Sequence, residues 1–239
     1  MLSWTDFFLA TLSMFTGAAV QGSIGFGSAL IASPLLVLIH PGFVPAPFIL
    51  ASLVFNTSVA LREAQAVNRH QVMWAIAGMI PGSLLAGGLL VLISQGTMEV
   101  VFGILVLLAV AISALGKSLD PAAGPLIGAG FLSGLMNTIA SIGGPPLALV
   151  YKDEESPQLR ANLSTLFVVG AVISLLSLLA YGEMKSTDLI LALALLPGMG
   201  LGFLLSSLLL PVIRKKHTRA GVLLLSSLSA IAVILRKLL

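Results

Sequence analysis

From Leu189 to Ile213 the chain carries no charged side chain, and Trp74–Ile93 and Val100–Leu115 are equally bare. Leu159–Ala180 is nearly as apolar. Each run approaches or exceeds the roughly 20 residues with which an α-helix crosses a bilayer core about 30 Å thick. Hydrocarbon offers the backbone no hydrogen-bond partners, so such runs must satisfy their own N–H and C=O groups as helices. Composition closes the soluble alternative. With 58% hydrophobic and 9% charged residues, the 239-residue chain lacks the polar surface to cover a water-soluble fold, for which about 25% charged residues is usual.

Two segments interrupt this oily pattern. Gly17-Ala-Ala-Val-Gln-Gly-Ser-Ile-Gly-Phe-Gly-Ser28 lies near the start, and Asn137-Thr-Ile-Ala-Ser-Ile-Gly-Gly-Pro-Pro146 lies just past the middle. Non-helical backbone at membrane depth is tolerated only where it is enclosed by protein or lines a wet cavity. Paired interruptions of this kind, one in each half, point to the substrate site of a transporter.

The halves correspond in order and spacing. Ser23-Ile-Gly25 recurs as Ser141-Ile-Gly143, 118 positions on, and Pro81-Gly82 recurs as Pro197-Gly198 after 116. Gly103 in its apolar run matches Gly221, again 118 on. The expected fold is an all-α polytopic membrane protein forming one transporter domain, with repeat 1 over 1–118 and repeat 2 over 119–239. Each repeat holds a broken, re-entrant element and three transmembrane helices. These cover 7–39 (broken near 21–27), 43–66, 71–93 and 98–116, then 124–151 (broken near 139–146), 158–181, 187–213 and 218–238. As one helix, 7–39 would run about 50 Å at 1.5 Å per residue, too long for the core. A hairpin of two shorter helices, entering and leaving on one side, is the expectation.

Loop charge sets the orientation. Arg62, Glu63, Arg69 and His70 occupy the 62–70 connection, and Arg214, Lys215, Lys216, His217 and Arg219 occupy 213–219. Lys and Arg gather on the cytoplasmic side. Basic connections thus follow the first full span of half one but the second of half two, so the repeats are inverted. The termini are expected outside and the Gly116–Pro121 linker inside, although Arg236 and Lys237 at the C-terminus run against that assignment. The start, Met1–Asp6, lacks the basic region of a cleaved signal peptide. The net charge of +3 lies largely in short loops, and no nucleic-acid partner is expected.

Chemistry is expected at the breaks. A helix N-terminus presents N–H groups without intrahelical partners and a partial positive charge, and glycine lets a ligand approach the backbone closely. Two such ends would bind an anion without a buried cation. The candidate substrate-binding residues are Gln21, Gly22, Ser23, Gly25, Gly27 and Ser28 at the first break, and Asn137, Thr138, Ser141, Gly143 and Gly144 at the second. Arg160, in the first turn of a helix opened by Ser156-Pro157, could pair bidentately with a sulfonate or sulfite. Its other readings are an interfacial arginine or a partner of Asp153, Glu154 or Glu155. Asn56, Thr57, Asn162 and Thr165 are polar positions for which helix–helix hydrogen bonding competes with substrate contact. Isolated glycines such as Gly87, Gly103 and Gly221 read as packing positions.

No Asp, Glu, Lys or Arg falls near the middle of a proposed span, so no proton relay is visible. An enzyme is not expected. His40, His70 and His217 lie far apart at element ends, and neither a His-Glu-x-x-His motif nor a nucleotide-binding loop is present. There is no cysteine for a disulfide or thiolate site, and neither cofactor nor metal is expected.

Gly22-Ser-Ile-Gly-Phe-Gly27 followed by Pro34-Leu, then Ser141-Ile-Gly-Gly-Pro-Pro146 and Leu159-Arg-Ala161, resemble the TauE/SafE sulfite exporter family, also called the toluene-sulfonate uptake permease family. The resemblance spans nearly the whole chain. It implies a multi-pass carrier of the cell membrane, in bacteria the inner membrane, for sulfite or organosulfonates such as sulfoacetate. Phe26 stands where many relatives have glycine. The resulting expectation is a secondary transporter of small sulfur-containing anions that works by alternating access around the paired breaks. The bilayer and the anion are its partners, with a homodimer as a possible third. A channel-like pore for small anions or neutral solutes and a non-transporting scaffold are the alternatives.

Overall fold

The computed structural model describes residues 3–24, 27–114, 119–154, 156–209 and 215–238. Among these residues ten α-helices follow one another: α1 Trp4–Ile24, α2 Ser28–Ile39, α3 Ala46–Glu63, α4 Arg69–Leu92, α5 Gln95–Ala114, α6 Ala123–Ala140, α7 Gly144–Tyr151, α8 Ser156–Ala180, α9 Asp188–Leu209 and α10 Lys215–Leu238. Short 3-10 turns at Pro41–Phe43 and Ala64–Ala66 flank α3, and no strand occurs among the described residues. Six stretches, which include α4, α6 and the bulk of α3, α5, α8 and α9, are long and apolar enough to cross a membrane. The protein is a polytopic, all-helical membrane protein.

Its surface fits that setting. Leu92 is 82% exposed and Leu204 70%. Lipid solvates such side chains, whereas a patch of them in water would drive association. Several hydroxyls inside the helices are satisfied locally. Thr11, Ser13, Thr57 and Ser227 each donate to the carbonyl one turn back, at 2.7–2.8 Å.

The broken elements form hairpins. In the first, Met14 of α1 and Leu36 of α2 share one apolar cluster with Phe43, and Gly17 lies against Ser28, so the helices run antiparallel. In the second, the Leu119 N–H reaches the Leu149 carbonyl at 3.3 Å, joining the entry of α6 to the exit of α7. The first hairpin opens at the end where His40, Ala46, Leu90, Met98, Gly182 and Asp188 gather. The second opens at the opposite end. There Gln71 donates to Glu154 at 3.1 Å, and Asn162 links Asn68 and Gln71 through bonds of 2.9 and 3.1 Å. These are called the His40 end and the Arg160 end below. Asn162 is therefore a helix-linking residue.

Helix seams depend on missing side chains. α4 packs along α6, with Gly78 and Gly82 facing the carbonyls of Ile127 and Phe131, and Gly130 and Gly134 facing those of Ala75 and Met79. α1 packs along α9, where Gly198 and Gly202 face the carbonyls of Thr11 and Phe15. Small residues let backbones approach in this way within membranes. Gly87 and Gly103 are likewise filled against Ser177 and Ile234, as expected of packing glycines, whereas Gly221 has nothing within 4 Å of a built Cβ among the described residues. α3 lies against α8, and α5 against α10.

Candidate functional site

The two hairpin tips face one another across a small cavity. Its wall takes Gln21, Gly27 and Ser28 from the first tip and Asn137, Ser141, Gly143 and Gly144 from the second. Asn56 of α3 and Phe167 and Gly170 of α8 help to close the sides. The cavity measures about 40 Å³, on a scale where roughly 10–15 Å³ holds one water. Among the described residues, no charged side chain lines it.

The first tip turns at Gly27, whose φ of 111° suits glycine alone. Gln21, one turn before the end of α1, fastens it. Its amide donates to Asn56 Oδ1 at 2.9 Å, and its carbonyl oxygen accepts from the Ser28 N–H at 3.3 Å and from the Ser28 hydroxyl. The start of α2 is thus tied to α3 through one side chain.

The second tip turns at Ser141, which ends α6 in the left-handed region at φ 60°. Its N–H returns to the Asn137 carbonyl at 2.8 Å, and its hydroxyl donates to the Pro45 carbonyl at 3.1 Å. A non-glycine residue in that region is uncommon and concentrates at functional sites. α7 then begins at Gly144 with Pro145 and Pro146 in its first turn. Proline presets the helical φ but has no N–H. This tip therefore offers fewer backbone donors than the four of an ordinary helix start.

Side-chain donors make up part of the difference. Ser133 of α6 is fully buried, lines the cavity, and has a hydroxyl without a hydrogen-bond partner among the described residues. It is also the atom nearest to a Cβ built on Gly143, at 2.8 Å. Sequence reasoning passed over it. Ser133, Asn137 and Ser141 recur at steps of four, which places them on one face of α6.

The remaining candidates divide. Thr138 is buried behind the wall, its Oγ1 2.8 Å from the Gly134 carbonyl and 2.9 Å from Ser174 Oγ, and Asn137 donates to that same Ser174 at 2.9 Å. Gly22 faces Ser206 of α9 and borders a neighbouring cavity instead. Gly25 and the Ser23 side chain lie outside the described residues. Arg160 is not on the main cavity. Its Nε lies 3.6 Å from Glu63 at the end of α3, a neighbour distant in sequence, while Glu155, one of the three acids expected from sequence proximity, lies outside the described residues.

Two further spaces flank the site. Toward the Arg160 end, a cavity of about 30 Å³ is lined by Gly22, Arg62, Arg160 and Ser164 and shares Gln21, Asn56 and Phe167 with the main one. Toward the His40 end lies a cleft of about 740 Å³ bordered by Glu99, Glu183, Lys185 and Asp188. Pro45, on the wall of that cleft, is the residue to which Ser141 is bonded.

A family model described as Sulfite exporter TauE/SafE matches residues 9–233. No curated protein and no solved structure matches the chain significantly.

Proposed function

We propose, from the premise that the chain belongs to the TauE/SafE sulfite exporter family, that it is a secondary carrier holding a sulfite-sized oxyanion between its hairpin tips. The family is one of membrane transporters for small sulfur anions, and the multi-pass helical fold accords with it. The observation that carries the reading is the pocket itself. Two helix starts and the Ser133 hydroxyl, unpartnered among the described residues, border one space lined by no described charged side chain. Helix N-termini favour anions through oriented N–H groups. With room for roughly three waters, the pocket suits a compact oxyanion better than sulfoacetate.

The two halves act as inverted repeats in this reading. The hairpins open at opposite ends, and the pairing of α1 with α9 mirrors that of α6 with α4. Barriers stand on either side of the pocket. The Ser141–Pro45 bond lies toward the wide cleft and the Gln21–Asn56 bond toward the Arg160 end. Opening one barrier while the other stays shut gives alternating access, with the Arg160 end cytoplasmic by its basic connections.

Sulfite flux into proteoliposomes tests the assignment. Ser133→Ala removes a hydroxyl that no protein group uses, so the melting temperature should hold while sulfite affinity falls about tenfold. Ser83 is equally buried and unpartnered but borders none of these spaces, so Ser83→Ala should change neither. Wild-type affinity in Ser133→Ala would remove the pocket as the site. Saturation and counterflow should distinguish the carrier from a pore.

A further inference from the structure

We infer that the small cavity at the Arg160 end is a second anion station, which holds a sulfur oxyanion before or after it occupies the main pocket. The inference rests on the carrier reading above and adds a second binding position, with Arg160 as its principal ligand.

Three observations place it. First, one carboxylate serves two guanidiniums. Glu63 Oε1 accepts from Arg62 Nε and Nη2 at 3.2 and 3.1 Å, while Arg160 Nε lies 3.6 Å away. That distance is too long for a hydrogen bond, and Arg160 Nε is buried without a hydrogen-bond partner among the described residues. Among the described residues, these three side chains together carry one net positive charge and leave the Arg160 Nε donor unused. Second, both arginines and Ser164 border the cavity. A guanidinium with a free edge matches two oxygens of a tetrahedral or pyramidal oxyanion. Third, the cavity is continuous in its walls with the main pocket, and the Gln21–Asn56 bond stands between them.

The arrangement divides the work of binding. The station has charge and partial access to water, so it can capture an anion from solution by long-range attraction. The main pocket has no charge and holds the anion by oriented dipoles. Passage between them requires the Gln21 amide to leave Asn56. Because Gln21 also holds Ser28, the same movement frees the tip of the first hairpin. Glu63 competes with the substrate for Arg160 and keeps the station from holding the anion too tightly.

Sulfite titrated calorimetrically into the full chain in nanodiscs, at low and high NaCl, tests this. The wild type should show two binding events, the weaker one suppressed by salt. Arg160→Gln should remove the weaker event, or weaken it tenfold or more, and leave the tighter one intact. Glu63→Gln keeps both arginines and should strengthen the weaker event severalfold. The opposite signs separate a station from a structural ion pair, for which both variants would lower the melting temperature and leave both events unchanged. That result would overturn the station, as would a single event sensitive to Ser133→Ala and indifferent to Arg160→Gln, which would leave the main pocket standing. The absence of any event in the wild type would overturn the carrier reading itself.

Discussion

Gly82 of α4 lies so close to Phe131 of α6 that a Cβ at position 82 would stand 2.1 Å from the Phe131 carbonyl oxygen. The same distance separates a Cβ on Gly198 of α9 from the Thr11 carbonyl of α1. These contacts are backbone against backbone, so no side chain can swing away to relieve an added methyl group. They fasten each hairpin to a full-length span and thereby hold the tips in register.

Alanine at Gly82 or Gly198 should consequently force the helices apart. Overpacking of a well-packed core costs about 1–3 kcal/mol, and a rigid carbonyl places these sites at the upper end. Gly128 and Gly200 have nothing within 4 Å of a built Cβ. Alanine there should be neutral or slightly stabilising, since it is the better helix former. Melting of the four detergent-purified variants, followed by size-exclusion chromatography, should split them two against two.

The two tips respond differently to substitution because their turns differ. Among the described residues Gly27→Ala meets only Val20, at 3.8 Å, so its penalty is conformational, of order 1–3 kcal/mol for a disfavoured φ. That variant should fold with a lower melting point and reduced flux. Ser141→Gly removes left-handed strain but also the hydroxyl bonded to Pro45. It should fold at least as well as the wild type and leak sulfite toward the His40 end. Ser141→Val, β-branched at positive φ, should fail to accumulate. Unchanged flux in both Gly27→Ala and Ser141→Gly would show that the turns have no part in gating.

The chain contains no cysteine, so single cysteines report topology against a blank background. Thr187 borders the wide cleft at the His40 end, and His70 lies at the start of α4 near the opposite end. A membrane-impermeant maleimide applied to intact cells should label Thr187→Cys and spare His70→Cys until the membrane is permeabilised. The reverse pattern would invert the orientation read from loop charge.

Much of the architecture was legible because the membrane makes length and polarity decisive. The span expected over 71–93 is Arg69–Leu92, and the one over 158–181 is Ser156–Ala180. The breaks were legible for the same reason, but their edges were not. Gln21 lies inside α1, and Gly144, Pro145 and Pro146 begin α7 instead of belonging to the turn, since proline favours the first turn of a helix. The Arg160–Glu63 contact had no one-dimensional signal. Glu63 comes from a different helix nearly a hundred positions away, a proximity that no spacing within α8 announces. Ser133 showed its face through four-residue steps, but an unpartnered hydroxyl becomes visible only after every neighbour is placed. Arg236, which ran against the loop-charge rule, has an answer in the structure. It pairs with Glu99 at 3.2 Å and donates to the Leu38 carbonyl at 3.2 Å.

The exchange of partners between early and late helices has a consequence for how the chain is made. α1 is shaped to fit α9, which follows it by most of the sequence. While the ribosome is still working through the intervening helices, the polar tip at Gln21–Ser28 has no finished wall on that side. The nascent hairpin must wait, sheltered by the insertion machinery or by whichever helices have arrived. A chain cut anywhere before Asp188 lacks the helix on which α1 packs.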